Sequence, residues 1–123
     1  MSFERPLLSK DHLTPVVTEQ MATFHRDFVD EVAGAVETHA IVIVGMGQNP
    51  VVKKARRALD DAAIAYHYIG HGDYLSGYRR RLAIKMWSGY PTFPQVFVKG
   101  TLIGGCAELV AGLADGSVRA RLV

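Results

Sequence analysis

The chain offers chemistry a single thiol, Cys106, and five histidines at positions 12, 25, 39, 67 and 71. One cysteine excludes an intramolecular disulfide, which fits a reducing compartment. Metal ligation needs side chains that return to one face, and the histidines lack that spacing. His67 and His71 straddle a strand end and a glycine loop, where helical i, i+4 geometry does not apply. No metal site is expected. His71, Asp73 and Ser76 are close in sequence, but no nucleophile turn surrounds the serine, so a hydrolase triad is not supported. Thr92-Phe93-Pro94 places a proline, which cannot donate to a ladder, at the start of an apolar run, and Gly104-Gly105-Cys106 follows the next run. Positive charge collects in two groups: Lys53, Lys54, Arg56 and Arg57, and Arg79-Arg80-Arg81 with Lys85.

A regular alternation of elements must position these groups. Residues 1–13 read as a tail. Thr14-Pro15 offers a hydroxyl N-cap and a proline at the first helical position. Phe24, Phe28, Val32 and Val36 recur every four residues, so an N-terminal helix is expected over 14–38. Residues 40–123 read as the core. Ala40 to Val44 is small and β-branched, a buried strand. Asn49-Pro50 opens a helix with Val51, Val52, Ala55, Ala58, Leu59 and Ala62 in one stripe and its four basic residues opposite. Ile64 to Ile69 is a second strand, and Gly70 to Gly77 is a glycine-rich loop. Tyr78 to Trp87 is a helix with Tyr78, Leu82 and Met86 spaced four apart. Gln95 to Val98 and Thr101 to Ile103 pair as a hairpin across Lys99-Gly100. Ala107 to Leu113 is a last helix, which Val118 to Val123 extends or follows with a further turn. The strand-helix-strand unit gives a parallel pair and the hairpin an antiparallel one. The expected fold is α/β, a mixed sheet with helices on both faces.

This order, with the block Tyr90-Pro91-Thr92-Phe93-Pro94-Gln95 and then Leu102-Ile103-Gly104-Gly105-Cys106, resembles the glutaredoxin family of the thioredoxin-like fold. The resemblance covers roughly residues 40–115 and is closest to the monothiol, CGFS-type branch. It implies a four-stranded mixed sheet flanked by helices, with the N-terminal helix as an extra element. It implies that Phe93-Pro94 is a cis peptide whose Phe93 backbone faces a γ-glutamyl-cysteine-like ligand. Phe93, Pro94, Gly105 and Cys106 would then form a residual glutathione groove. It also implies where the reactive cysteine belongs, and Asn49 stands there, in Asn49-Pro50-Val51-Val52. A thiol at a helix N-terminus is acidified by the N–H groups and the dipole. Asn49 can cap that helix but cannot attack a disulfide. The lysine position before the cysteine falls on Met46, and the aspartate position after G-G-C falls on Ala107, with Glu108 beside it. Without that cation and anion, glutathione is expected to bind weakly, and no iron–sulfur cluster is expected. Cys106 matches a semi-conserved family cysteine and is a candidate thiol; the competing reading is a small residue packing the turn.

Composition bounds the rest. With 123 residues, 49% hydrophobic and 21% charged, the chain is expected to be a single glutaredoxin-like domain over 1–123. No apolar run reaches bilayer length and no signal peptide is apparent, so a cytoplasmic protein without membrane contact is expected. The net charge of +2 conceals an asymmetry: residues 1–39 hold three basic and seven acidic residues, residues 40–123 eleven and five. This reads as two solvated faces, as a basic face for an anion or an acidic protein partner, or as an acidic N-terminal helix docked near the basic one. Nucleic acid is disfavoured by the modest net charge and the lack of an aromatic stacking motif beside the arginines. The expected function is a non-catalytic binding or regulatory module that keeps a glutathione cradle. The alternatives are a glutathione-dependent oxidoreductase using Cys106 or an atypical site, and an anion- or nucleic-acid-binding adaptor. A homodimer through the N-terminal helix stays open.

Overall fold

A strand buried on both faces organises the chain. A computed structural model describes residues 3–47, 49–70 and 77–123. A 3-10 turn at Lys10–His12 precedes α1 (Pro15–Thr23), α2 (Arg26–Thr38), β1 (Ile41–Gly45), α3 (Pro50–Asp61) and β2 (His67–Gly70). Then come α4 (Tyr78–Ser88), β3 (Gln95–Val98), β4 (Thr101–Gly104), α5 (Cys106–Asp115) and α6 (Ser117–Leu122). The sheet order is β2-β1-β3-β4. β1 runs parallel to β2 and antiparallel to β3, and β3 is antiparallel to β4. Lys99 and Gly100 both have positive φ, 50° and 81°, the two-residue turn whose twist suits a hairpin.

Side-chain alternation divides the core into two layers. Ile41, Ile43, Val96 and Val98 pack on Ala55, Leu59, Leu109, Cys106 and Val118, which belong to α3, α5 and α6. Val42, Val44 and Phe97 face the other way, with Ile69, onto Phe28 and Val32 of α2 and Ile84 of α4. The mixed four-stranded sheet between helices is therefore the expected α/β architecture.

Three expectations at the level of elements change. The helix over 14–38 is two helices. Phe24 is extended (φ −63°, ψ 106°) and His25 is left-handed (φ 45°, ψ 42°), so the path turns between α1 and α2. Histidine is among the residues that enter this region more readily. The turn lets Phe28 and Val32 bury on the sheet while α1 buries nothing. Second, β2 begins at His67, not Ile64: its first pair is with Val42, and β1, starting at Ile41, has no residue opposite Ile64 or Ala65. Third, Val51 is exposed; Val52, Ala55 and Leu59 make the buried face of α3. In α4, which forms as expected, Tyr78, Leu82 and Met86 are exposed and Ala83 and Ile84 are buried. The 70–77 loop, with His71, Asp73 and Ser76, lies outside the described residues apart from Gly70 and Gly77.

The charge asymmetry has a structural counterpart. α2 packs on α4, setting the acidic helix beside the basic one. The Arg79 guanidinium lies 5.2 Å from the Phe24 ring centroid and that of Arg80 5.9 Å from Phe28. In the other basic group, Arg56 is half-buried rather than solvated, with its guanidinium 4.0 Å over the Tyr68 ring. A hydrogen bond to Tyr66 raises the Arg56 pKa, against the opposing effect of burial. Residues 3–12 are exposed, though the Arg5 guanidinium lies against Gly89 at the C-terminus of α4, where a cation suits the helix dipole. Among the described residues, no helix is long and apolar enough to cross a membrane.

Candidate functional site

Strand pairing brings three segments to one end of the sheet. β1 ends at Gly45 and leads into α3. Antiparallel pairing sets Val44 against Gln95, so the segment entering β3 arrives at the same end. Gly104 pairs with Val96, which brings the turn into α5 there too. Asn49, Phe93-Pro94 and Gly105-Cys106 thus converge by topology.

Asn49 is the N-cap of α3. Its Oδ1 accepts hydrogen bonds from Val51 N (2.8 Å) and Val52 N (3.3 Å), and Pro50 occupies the first turn. The helix N-terminus, where a thiol would be acidified, is satisfied by an amide instead. Helix and strand approach closely behind it: a Cβ at Gly45 would lie 2.6 Å from Val52 Cγ2. Met46, next along, is buried. It offers an apolar thioether where the family resemblance placed a lysine.

Phe93-Pro94 is a cis peptide, as the motif implied. Pro94 is buried and Phe93 half-buried. A Cβ on Gly105 would lie 3.2 Å from the Pro94 carbonyl oxygen, so the two segments of the expected groove are adjacent. Lys85 Nζ stands 5.6 Å over the Phe93 ring.

Cys106 is 6% exposed and belongs to the core layer under α5. Burial pushes its pKa up and outweighs the opposing charge of Lys54. A raised pKa leaves little thiolate near neutrality. Ala107 is exposed, and Glu108 turns back to the start of its own helix. Its Oε1 accepts from Gly105 N (2.8 Å) and from the Tyr90 hydroxyl (3.2 Å). The Gly105 N–H, more than any other contact, holds the Glu108 carboxyl below its usual range. Gly105 has no side chain to return a bond, so only half of a capping box exists here.

Ser88, Tyr90 and Gln95, to which the sequence assigned no bracing role, hold this end together. Gln95 is fully buried and polar. Its Nε2 donates to the Tyr90 carbonyl (3.0 Å), and its Oε1 accepts from the Ser88 hydroxyl (2.8 Å). The Ser88 hydroxyl in turn accepts from Tyr90 N (3.1 Å). This chain of bonds fixes residues 88–90, which lead into Thr92-Phe93-Pro94. The signal for Glu108 was an acid three residues into a helix; for Gln95 none existed, since a glutamine opening a strand is unremarkable without its partners. Gln95→Leu leaves the Ser88 hydroxyl and the Tyr90 carbonyl unpaired, at about 1–3 kcal/mol. The expected loss in melting temperature is roughly 5–10 °C, and a shift below 2 °C in a calorimetric scan would show that the network does not brace this loop.

Three sets of comparisons bear on these residues. The glutaredoxin family model matches residues 50–103, beginning just past Asn49 and ending just before Gly104-Gly105-Cys106. A "Glutaredoxin-like protein" of Dictyostelium discoideum is 38% identical over 118 residues, covering 96% of this chain and 94% of that protein. "Monothiol glutaredoxin-S17" of Arabidopsis thaliana is 29% identical over 115 residues, covering 89% of this chain but 23% of that longer protein. In structure, a buckwheat glutaredoxin–glutathione complex superposes with a TM-score of 0.70 at 22% identity, covering 85% of this chain and 91% of that one.

Proposed function

This chain belongs to the glutaredoxin family, and from that premise we propose that it has lost the family's redox thiol and serves as a non-catalytic binding or regulatory module in the cytoplasm. The observation that carries this reading is the hydrogen-bonded cap at Asn49, where the family resemblance places the nucleophile. The carboxamide does the structural half of that residue's work, satisfying α3, and has no means of forming a mixed disulfide. The chain's sole thiol, Cys106, is buried with its pKa raised, which weakens the alternative of a displaced nucleophile.

The groove beside this position supports a residual, weak affinity for glutathione. Phe93-Pro94 and Gly105 keep their places, while Met46 and Ala107 supply neither of the two charges the resemblance associates with the tripeptide. The residues do not fit an iron–sulfur cluster. Asn49 spends its oxygen on two backbone N–H groups, and Cys106 is packed in the core, so no thiolate faces the groove. The reading predicts that glutathione-coupled reduction of hydroxyethyl disulfide stays at the uncatalysed rate. Turnover above background that disappears in Cys106→Ser would replace this reading with a redox one.

A further inference from the structure

We propose that an exposed apolar strip on α4, with the cleft beside it, docks an acidic amphipathic helix of a partner protein. The proposal rests on the binding-module reading and places the main contact outside the retained groove. Although α4 buries Ala83 and Ile84, it leaves Tyr78 56%, Leu82 44%, Met86 46% and Trp87 40% exposed. Tyr78, Leu82 and Met86 are four apart and so lie along one line of the helix. Met86 and Trp87 also wall a cleft of about 650 Å³, whose other apolar sides are Met21, Phe24 and Val29 from the α1–α2 elbow. An aromatic and methionine strip running into an apolar cleft is a contiguous patch, unlike singly exposed apolar residues. Methionine adapts its shape to incoming side chains, and a line of residues one turn apart suits the i, i+3/i+4, i+7 anchors of a docked helix.

Charge selects the partner's sign. Arg79 lies over Phe24 at the cleft. Arg5 and Arg26 line the cleft, and Lys85 stands on the other side of the strip, over Phe93. Asp30 is the one carboxylate among the described lining residues, and Arg26 pairs with it at 2.9 Å. Cations therefore flank the apolar line on both sides. A helix whose apolar stripe is bordered by Asp and Glu complements that layout, and one bordered by Lys or Arg is repelled. A second copy of this chain fits less well, because its acidic residues concentrate on α2, whose apolar face is already buried on the sheet.

Fluorescence anisotropy of the full chain with a labelled helical peptide of about 16 residues tests this. The peptide carries leucines at i, i+3, i+4 and i+7 and glutamates on its remaining surface; a control replaces every glutamate with lysine. The expected result is saturable binding of the acidic peptide, at least roughly tenfold weaker binding of the lysine peptide, and weakening with added salt. The double variant Leu82→Glu/Met86→Glu should lose the binding while keeping its circular dichroism and melting temperature, since both sites are exposed. No binding of the acidic peptide, equal binding of both peptides, or unchanged binding by the double variant would overturn the proposal. So would a dimer of the chain that this double variant converts to a monomer, which assigns the strip to a second copy. Disulfide turnover would instead overturn the non-catalytic reading and leave the titration to be judged separately.

Discussion

Phe28→Ala is expected to cost about 3–4 kcal/mol of folding stability, which corresponds to a drop of roughly 2 M in the urea midpoint. Phe28 is 2% exposed and packs among Val42, Val44, Ile69, Phe97 and Ile84. Its ring is thus the plug by which α2 closes one whole layer of the core. Removing it opens a cavity bounded by three strands, β1, β2 and β3, and by α4, and the strands cannot collapse into it without breaking their pairing. Phe24→Ala is the control. Its ring is half-buried at the rim of the α1–α2 cleft, and its removal is expected to cost about 1 kcal/mol or less. Equal losses from the two substitutions in urea titrations would mean that α2 is an accessory to the fold rather than part of its core.

The same helix shows how far sequence reasoning reaches. The four-residue spacing of Phe28 and Val32 correctly places a helix on an apolar surface, because burial on one side imposes that period. It misses the break at His25, since neither glycine nor proline marks it and the left-handed conformation is held by tertiary packing. β1 and β3 were legible because strands covered on both faces are apolar throughout. β2 was drawn too long because strand length is set by the partner: β1 starts at Ile41 and offers no residue opposite Ile64 or Ala65. In α4, two apolar lines compete, Tyr78-Leu82-Met86 and Ala83-Ile84. Composition favours the larger side chains, whereas α2 lies close enough to select the smaller ones. The candidate site divides similarly. Asn49 was readable as a cap because asparagine acts on its own backbone, whereas the cis Phe93-Pro94 bond was implied by the family resemblance rather than by the residues themselves. The Gln95 network was hidden because each bond joins residues whose approach only the fold decides.

Asn49→Cys is expected to create a reactive thiol without rebuilding the scaffold. The N-cap position faces the N–H groups of Val51 and Val52, now satisfied by the carboxamide. A thiolate there would accept the same donors and gain from the helix dipole, so its pKa should fall below the ordinary value near ~8.5, to about 7 or lower. At pH 7 about half of it would be thiolate, against a few per cent for an unperturbed thiol. The resident Cys106 shifts the other way, its pKa raised by burial. The sign of each shift fixes the pH profile. Alkylation of the new cysteine should rise through roughly pH 6–7 and level off, while labelling of Cys106 stays slow at neutrality and climbs only in alkaline buffer. In the background of Cys106→Ser, iodoacetamide kinetics at pH 7 should therefore be at least tenfold faster for Asn49→Cys than for Cys106 in the parent chain. The loss of the asparagine cap should cost about 1 kcal/mol. A new thiol that titrates near ~8.5 would mean that the start of α3 does not favour negative charge. The proposed absence of a redox thiol would then not rest on residue 49 alone, because the helix would give a cysteine there no activation.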